Sequence, residues 1–270
     1  MVLLTEFVGT LLFCMSLNLN VEADVQMPMV LFCILLFTGD VSGGHINPGV
    51  TMAVFIEQCK PMNLFYMIAI ILAQAAGAIV SVFLGFLLRV TIPVPGVEGA
   101  VAWIPNVTGF YPKLAMSVAP ASALYQIILA EFIGSFMFYF VILHVKRDCK
   151  DPFIGCLAVT LSLYGASTCF THISGGLLNP ALAFMCIIWS NLTYQYDVGA
   201  TQSNWNFIYS IVYLAAPMAG GFVAGMAFNF KKLTFFNVQT AHQNATSLEL
   251  SNKHDTEELF DPNGKSRNYN

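Results

Sequence analysis

Long apolar stretches and short polar breaks alternate along most of this chain. Runs almost free of charge occupy residues 3–20, 25–39, 64–88, 122–145, 153–173 and 206–230. Each is near the ~20 residues that an α-helix needs to cross a bilayer. Six spanning helices are therefore expected, the second of them short but extendable by a turn from residues 20–24. Two further apolar runs, 50–56 and 181–190, are about half as long, and each begins beside an Asn-Pro pair. These predict helices that reach only to mid-membrane. Residues 91–121 read as a connecting loop, and residues 231–270 turn polar and Asn-rich, which reads as a disordered cytosolic tail.

The pattern occurs twice. SGGHINPGV at 42–50 is matched by SGGLLNPAL at 174–182, TEFVGT at 5–10 by AEFIGS at 130–135, and Ala76-Gly77-Ala78 by Ala219-Gly220-Gly221. Each copy holds three spans and one half-span. An odd number of crossings makes the second copy enter from the opposite face, so the repeats are inverted and their half-helices meet end to end near the midplane. The expected fold class is an all-α membrane protein with six transmembrane helices and two re-entrant half-helices. Its channel-like domain runs over 1–230, with repeat one at 1–90 and repeat two at 122–230, and the tail follows at 231–270.

Composition agrees: 57% hydrophobic and 10% charged residues exclude an ordinary soluble domain. The tail clusters Glu249, Asp255, Glu257, Glu258 and Asp261 among its Lys and Arg residues, and the chain as a whole has a net charge of -4. Lys60, Lys146, Arg147, Lys150, Lys231 and Lys232 fall on one side of a six-span arrangement, against Arg89 and Lys113 on the other. Both termini are thus expected in the cytosol. Glu6 and the lack of a basic leader argue against a signal peptide. The seven cysteines form no CxxC pair and have no His at ligand spacing, so neither a metal, a cofactor nor a disulfide is expected. No nucleic-acid partner is expected either, and of three sequons Asn106, in the long loop, is the one placed for a glycan.

The repeated residues carry the chemistry. Asn47 and Asn179 suit the N-cap position, where the side-chain oxygen accepts from a backbone N–H two or three residues on, at Gly49 or Val50 and at Ala181 or Leu182. Pro48 and Pro180 then stand at the first helical position, where a missing N–H does no harm. Each Asn NH2 is left as a donor backed by the positive end of its helix. Two such donors at the midplane would hold the oxygen of a passing neutral molecule and repel cations. Glu6 and Glu131, equivalent in the repeat, are expected to accept hydrogen bonds from the irregular loop backbone. An intramembrane enzyme is not expected: GxSxG is absent, Ser42 and Ser174 lack an evident His partner, and Asn and Pro are poor catalysts. Asp40 is assigned to structure and His172 to solvent.

With these motifs the chain resembles the aquaporins, or major intrinsic proteins, whose hallmark is two Asn-Pro-Ala boxes on half-helices. The resemblance runs from Thr5 to about Phe230 and includes AQAAGA at 73–78. It implies a right-handed six-helix bundle, one pore per protomer carrying water or small neutral solutes such as glycerol, ammonia, urea or hydrogen peroxide, and a homotetramer in the bilayer. His45 would line the cytosolic vestibule, and Met27, Ser167, Gly176 and Leu182 would form the outer filter. Two departures stand out. The first box is Asn47-Pro48-Gly49, whose missing methyl is expected to loosen the contact between boxes, and Leu182 replaces the family's usual Arg. Together they resemble the unorthodox, super-aquaporin-like branch. The apolar filter also keeps open a protein of this fold with an occluded pore and an organising or adhesive role.

Overall fold

The computed structural model describes residues 1–19, 23–61, 63–88, 90–93, 101–104, 120–193 and 205–259. Repeat one contains α1 (Val2–Asn18), α2 (Ala23–Ser42), α3 (Pro48–Gln58) and α4 (Asn63–Leu88). Repeat two contains α5 (Pro120–Asp148), α6 (Pro152–Phe170), α7 (Pro180–Thr193) and α8 (Trp205–Leu259). Among the described residues, α2, α4, α5, α6 and α8 are long and apolar enough to cross a membrane. At 17 residues α1 spans about 26 Å, roughly a turn less than a bilayer core. The second span, expected at 25–39, is lengthened at both ends by α2, while α3 and α7 are the two half-helices.

Two expectations change. The connecting region carries an antiparallel pair, β1 (Val90–Pro93) on β2 (Val101–Ile104), with Val90 opposite Ile104. β-Branched and aromatic residues in VTIP and VAWI suit a pleated strand better than an open loop. The chain also divides into two compact units, Met1–Met226 and Ala227–Asn270. The second unit is helical as far as Leu259, where a disordered tail was expected. Residues 231–259 contain neither Gly nor Pro and many good helix formers, so polarity alone misleads there. Arg89, Asn106, Lys113 and Asp261 lie outside the described residues.

Within the first unit, equivalent residues make equivalent contacts. A Cβ on Gly77 of α4 would strike the Phe7 carbonyl of α1, and one on Gly220 of α8 would lie 2.8 Å from the Phe132 carbonyl of α5. Only a bare backbone permits either approach. Gly9 and Gly134 likewise make room for the loops: a Cβ on Gly9 would stand 3.1 Å from Ile46 Cγ1, and one on Gly134 would meet Leu178 Cδ2 at 2.6 Å. A core of Ala123, Ile127, Ala183, Tyr209, Val212, Tyr213 and Ala216 joins α5, α7 and α8. Helices α1 and α4 pack together, as do α2 and α6, and α7 reaches across to α4. The half-helices are thus wedged inside the bundle, where non-helical backbone is shielded from lipid.

Candidate functional site

The two loops leading into the half-helices share an unusual backbone. Ile46 and Leu178, each directly before its Asn, hold φ of 50° and 49°, in the left-handed region that disfavours side chains. Such conformations cost on the order of 1–3 kcal/mol and persist only where the surroundings enforce them. Here the buried glutamates do so. Glu6 Oε2 accepts from Ile46 N at 2.7 Å, while its Oε1 accepts from His45 N at 2.9 Å and Ser42 Oγ at 2.6 Å. Glu131 Oε2 accepts from Leu178 N at 2.9 Å, and its Oε1 from Leu177 N at 3.2 Å and Ser174 Oγ at 2.6 Å. Both glutamates have no solvent exposure.

With φ positive at Ile46 and Leu178, each carbonyl turns toward the opposite box. Asn47 Oδ1 caps α3 by accepting from Gly49 N at 2.8 Å, and its Nδ2 donates to the Leu178 carbonyl at 2.9 Å. Asn179 Oδ1 caps α7 by accepting from Ala181 N at 2.9 Å, and its Nδ2 donates to the Ile46 carbonyl at 3.1 Å. The two NH2 groups are therefore not wholly free donors. One hydrogen of each ties the boxes together, and one is left for a guest. Pro48 and Pro180 are the first residues of their helices and are buried.

Both Asn side chains line one cavity, whose volume open to the centre of a water molecule is about 20 Å3, room for about one water. Gly44, His45 and Ile46 border it from the first loop and Leu177 from the second, and its remaining walls are apolar, among them Phe13, Leu31, Leu35, Phe138, Ile142, Val159 and Leu163. His45 Nδ1 lies 3.2 Å from Thr51 Oγ1, which also accepts from Gln74 Nε2 at 3.1 Å. The cavity thus brings together Asn47, Asn179 and His45.

The expected outer-filter residues lie elsewhere. Leu182 is fully buried in protein and does not border this cavity. Gly176 is buried too, and a Cβ on it would stand 2.9 Å from Ser167 Cα, so these two filter positions touch backbone to backbone with no passage between them. Ser167 Oγ turns back to the Tyr164 carbonyl at 3.2 Å. Met27 sits partly exposed on α2, away from the cavity. His172 and Asp40 are both exposed.

Sequence reasoning missed three side chains. Gln74 donates to Glu6 Oε2 at 2.8 Å and to Thr51 at 3.1 Å, giving the first glutamate a partner whose counterpart in the second repeat is Pro217. Tyr213 donates to the Ser174 carbonyl. Tyr139, with no solvent exposure, places its ring where an Ala at position 49 would put its methyl: a Cβ there would lie 2.6 Å from both Cε2 and Cζ. Its hydroxyl reaches the Leu178 carbonyl at 2.7 Å and Asn47 Oδ1 at 3.2 Å. The contact at the first box is therefore filled, not loosened. A signal existed: Tyr139 aligns with Cys14 in the repeat, so the box that loses a methyl faces the helix that gains a ring.

Comparison with known proteins accords with this architecture. The sequence model of the family described as Major intrinsic protein matches residues 2–228. Aquaporin AqpM of Methanothermobacter marburgensis is 29% identical over 195 residues, covering 71% of this chain and 69% of the relative. Aquaporin-2 of Rhizopus delemar is 26% identical over 251 residues, covering 83% and 74%. The X-ray structure of the aquaglyceroporin from Plasmodium falciparum shares the fold with a TM-score of 0.61 at 18% identity, over 83% of this chain and 93% of that one. The family match spans the bundle of apolar helices and both Asn-capped half-helices described above, and this chain belongs to the major intrinsic protein family.

Proposed function

We propose that this protein is a passive membrane channel for water and small neutral solutes, with the path running between the two half-helices. The observation that carries the reading is the pair of Asn side chains on one cavity, each held in place by the opposite loop. A guest oxygen there meets the remaining amide hydrogens and the positive ends of α3 and α7, an environment that disfavours cations. Apart from His45 and the loop backbone, the remaining walls are apolar. Both termini face the cytosol in this reading, in keeping with the distribution of Lys and Arg, and the protein assembles as a homotetramer with one path per protomer, as its family resemblance implies.

The buried Leu182 and the contact of Gly176 with Ser167 favour a second reading, in which the outer side stays shut and the protein organises or adheres membranes. Proteoliposomes separate the two. A channel shortens the stopped-flow shrinkage time in a sucrose gradient well below that of protein-free vesicles, without raising sodium leak. Shrinkage and glycerol entry no faster than in protein-free vesicles would favour the occluded reading.

A further inference from the structure

The two boxes differ in how many donors occupy the carbonyl before each Asn. The Leu178 oxygen accepts from Asn47 Nδ2 at 2.9 Å and from the Tyr139 hydroxyl at 2.7 Å, which fills both of its lone pairs. The Ile46 oxygen accepts from Asn179 Nδ2 at 3.1 Å, its one side-chain donor among the described residues. At the position equivalent to Tyr139, the Cys14 thiol turns instead to the Ala181 carbonyl at 3.9 Å. Both residues are buried, but Ile46 borders the cavity and Leu178 does not. One box thus offers an acceptor that the other withholds.

We infer that Tyr139 is a positioning residue that sets solute selectivity by sealing the Leu178 carbonyl away from the path, and that Gly49 is small so that its ring can reach there. The inference rests on the channel reading above. A water in a narrow file donates its hydrogens to neighbouring waters. A polyol has no such neighbours for all its hydroxyls and depends on acceptors in the wall. Sealing one acceptor beside Asn47 therefore selects against polyols more than against water, since an unmet hydrogen bond costs the solute more than a made one gains. Tyr139 does not itself border the cavity, so it acts through Asn47 and Leu178.

The test is Tyr139→Phe in proteoliposomes of the full chain, with water flux from sucrose shrinkage and glycerol flux from reswelling. The ring keeps filling the space over Gly49 while the hydroxyl is lost. Unsealing the carbonyl raises the glycerol-to-water flux ratio by about twofold to tenfold, the span that one net hydrogen bond supports. A conducting wild type with an unchanged ratio in Tyr139→Phe would overturn the inference alone. A wild type that conducts neither solute would overturn the channel reading and the inference with it. The double variant Gly49→Ala/Tyr139→Cys copies the arrangement of the second box and decides the matter should Tyr139→Phe not reconstitute. It raises the ratio if the inference holds, and an unchanged ratio overturns it.

Discussion

Repeat one and repeat two keep the same scaffold and fill it differently. A glutamate, a Ser-Gly-Gly turn, a residue at positive φ and an Asn-Pro cap recur in register, and in both repeats the glutamate holds the strained residue by its N–H. What differs is the packing around the cap. The first repeat sets Gly49 under Tyr139 and gives Glu6 a further donor in Gln74, which also reaches Thr51, whereas the second sets Ala181 near Cys14 and leaves Glu131 to its own loop. Backbone that must bend at membrane depth admits few solutions, while the volume beside it can be shared between partners in several ways. The repeats therefore agree where geometry is fixed and diverge where only the summed volume matters.

The largest expected effect strikes the shared scaffold. Glu6 receives four hydrogen bonds and Glu131 three, so turning either into an amide sets donors against donors. Glu6→Gln should cost about 3–6 kcal/mol, two hydrogen bonds to a charged group at about 1.5–3 each, and Glu131→Gln less by about one such bond. Thermal unfolding in detergent measures both. Equal losses would show that Gln74 contributes nothing to the difference. Next comes Leu182→Arg. Because Leu182 is fully buried, a guanidinium there should cost at least ~2.5–3.5 kcal/mol unless the outer side opens to water, and the folded yield should fall accordingly. A well-folded Leu182→Arg protein with raised water flux would mean that the packing around Leu182 yields to a single charge. Smallest is the exchange of box methyls. Gly49→Ala collides with the Tyr139 ring and should cost about 1–3 kcal/mol, while Ala181→Gly should cost about 1. Gly49→Ala/Tyr139→Cys should recover most of the first loss, and a cycle showing no coupling would sever the pair.

Much of this was legible in the chain. Apolar runs of bilayer length located the spans, and the doubled Asn-Pro pairs located α3 and α7, because Pro after a capping side chain fixes where a helix can start. Glu6 and Glu131 announced themselves as charges inside apolar runs, which are too costly to lack partners. The outer filter was not legible. Counting residues can nominate Met27, Ser167, Gly176 and Leu182, yet how closely their backbones approach, as at Gly176 and Ser167, follows only from the packing. Tyr139 was hidden for a related reason: an aromatic residue in an apolar span looks like lipid-facing or core packing until the small residue opposite it is known. The helix over 231–259 was missed because low hydrophobicity signals disorder only where helix propensity is also low.

In the proposed channel Asn47 and Asn179 act as a pair on one path. The most direct test of that pairing compares wild type with Asn47→Asp and Asn179→Asp in the same vesicles, recording osmotic water flux and sodium leak together after thermal unfolding has shown each variant folded. Aspartate keeps the cap oxygen but loses the NH2 donor, sets an oxygen against the Ile46 or Leu178 carbonyl, and adds negative charge at the cavity. Either substitution should lower water flux at least severalfold and raise sodium leak. Water flux and sodium leak both equal to wild type in a folded variant would contradict the pairing, since neither Asn could then line the route.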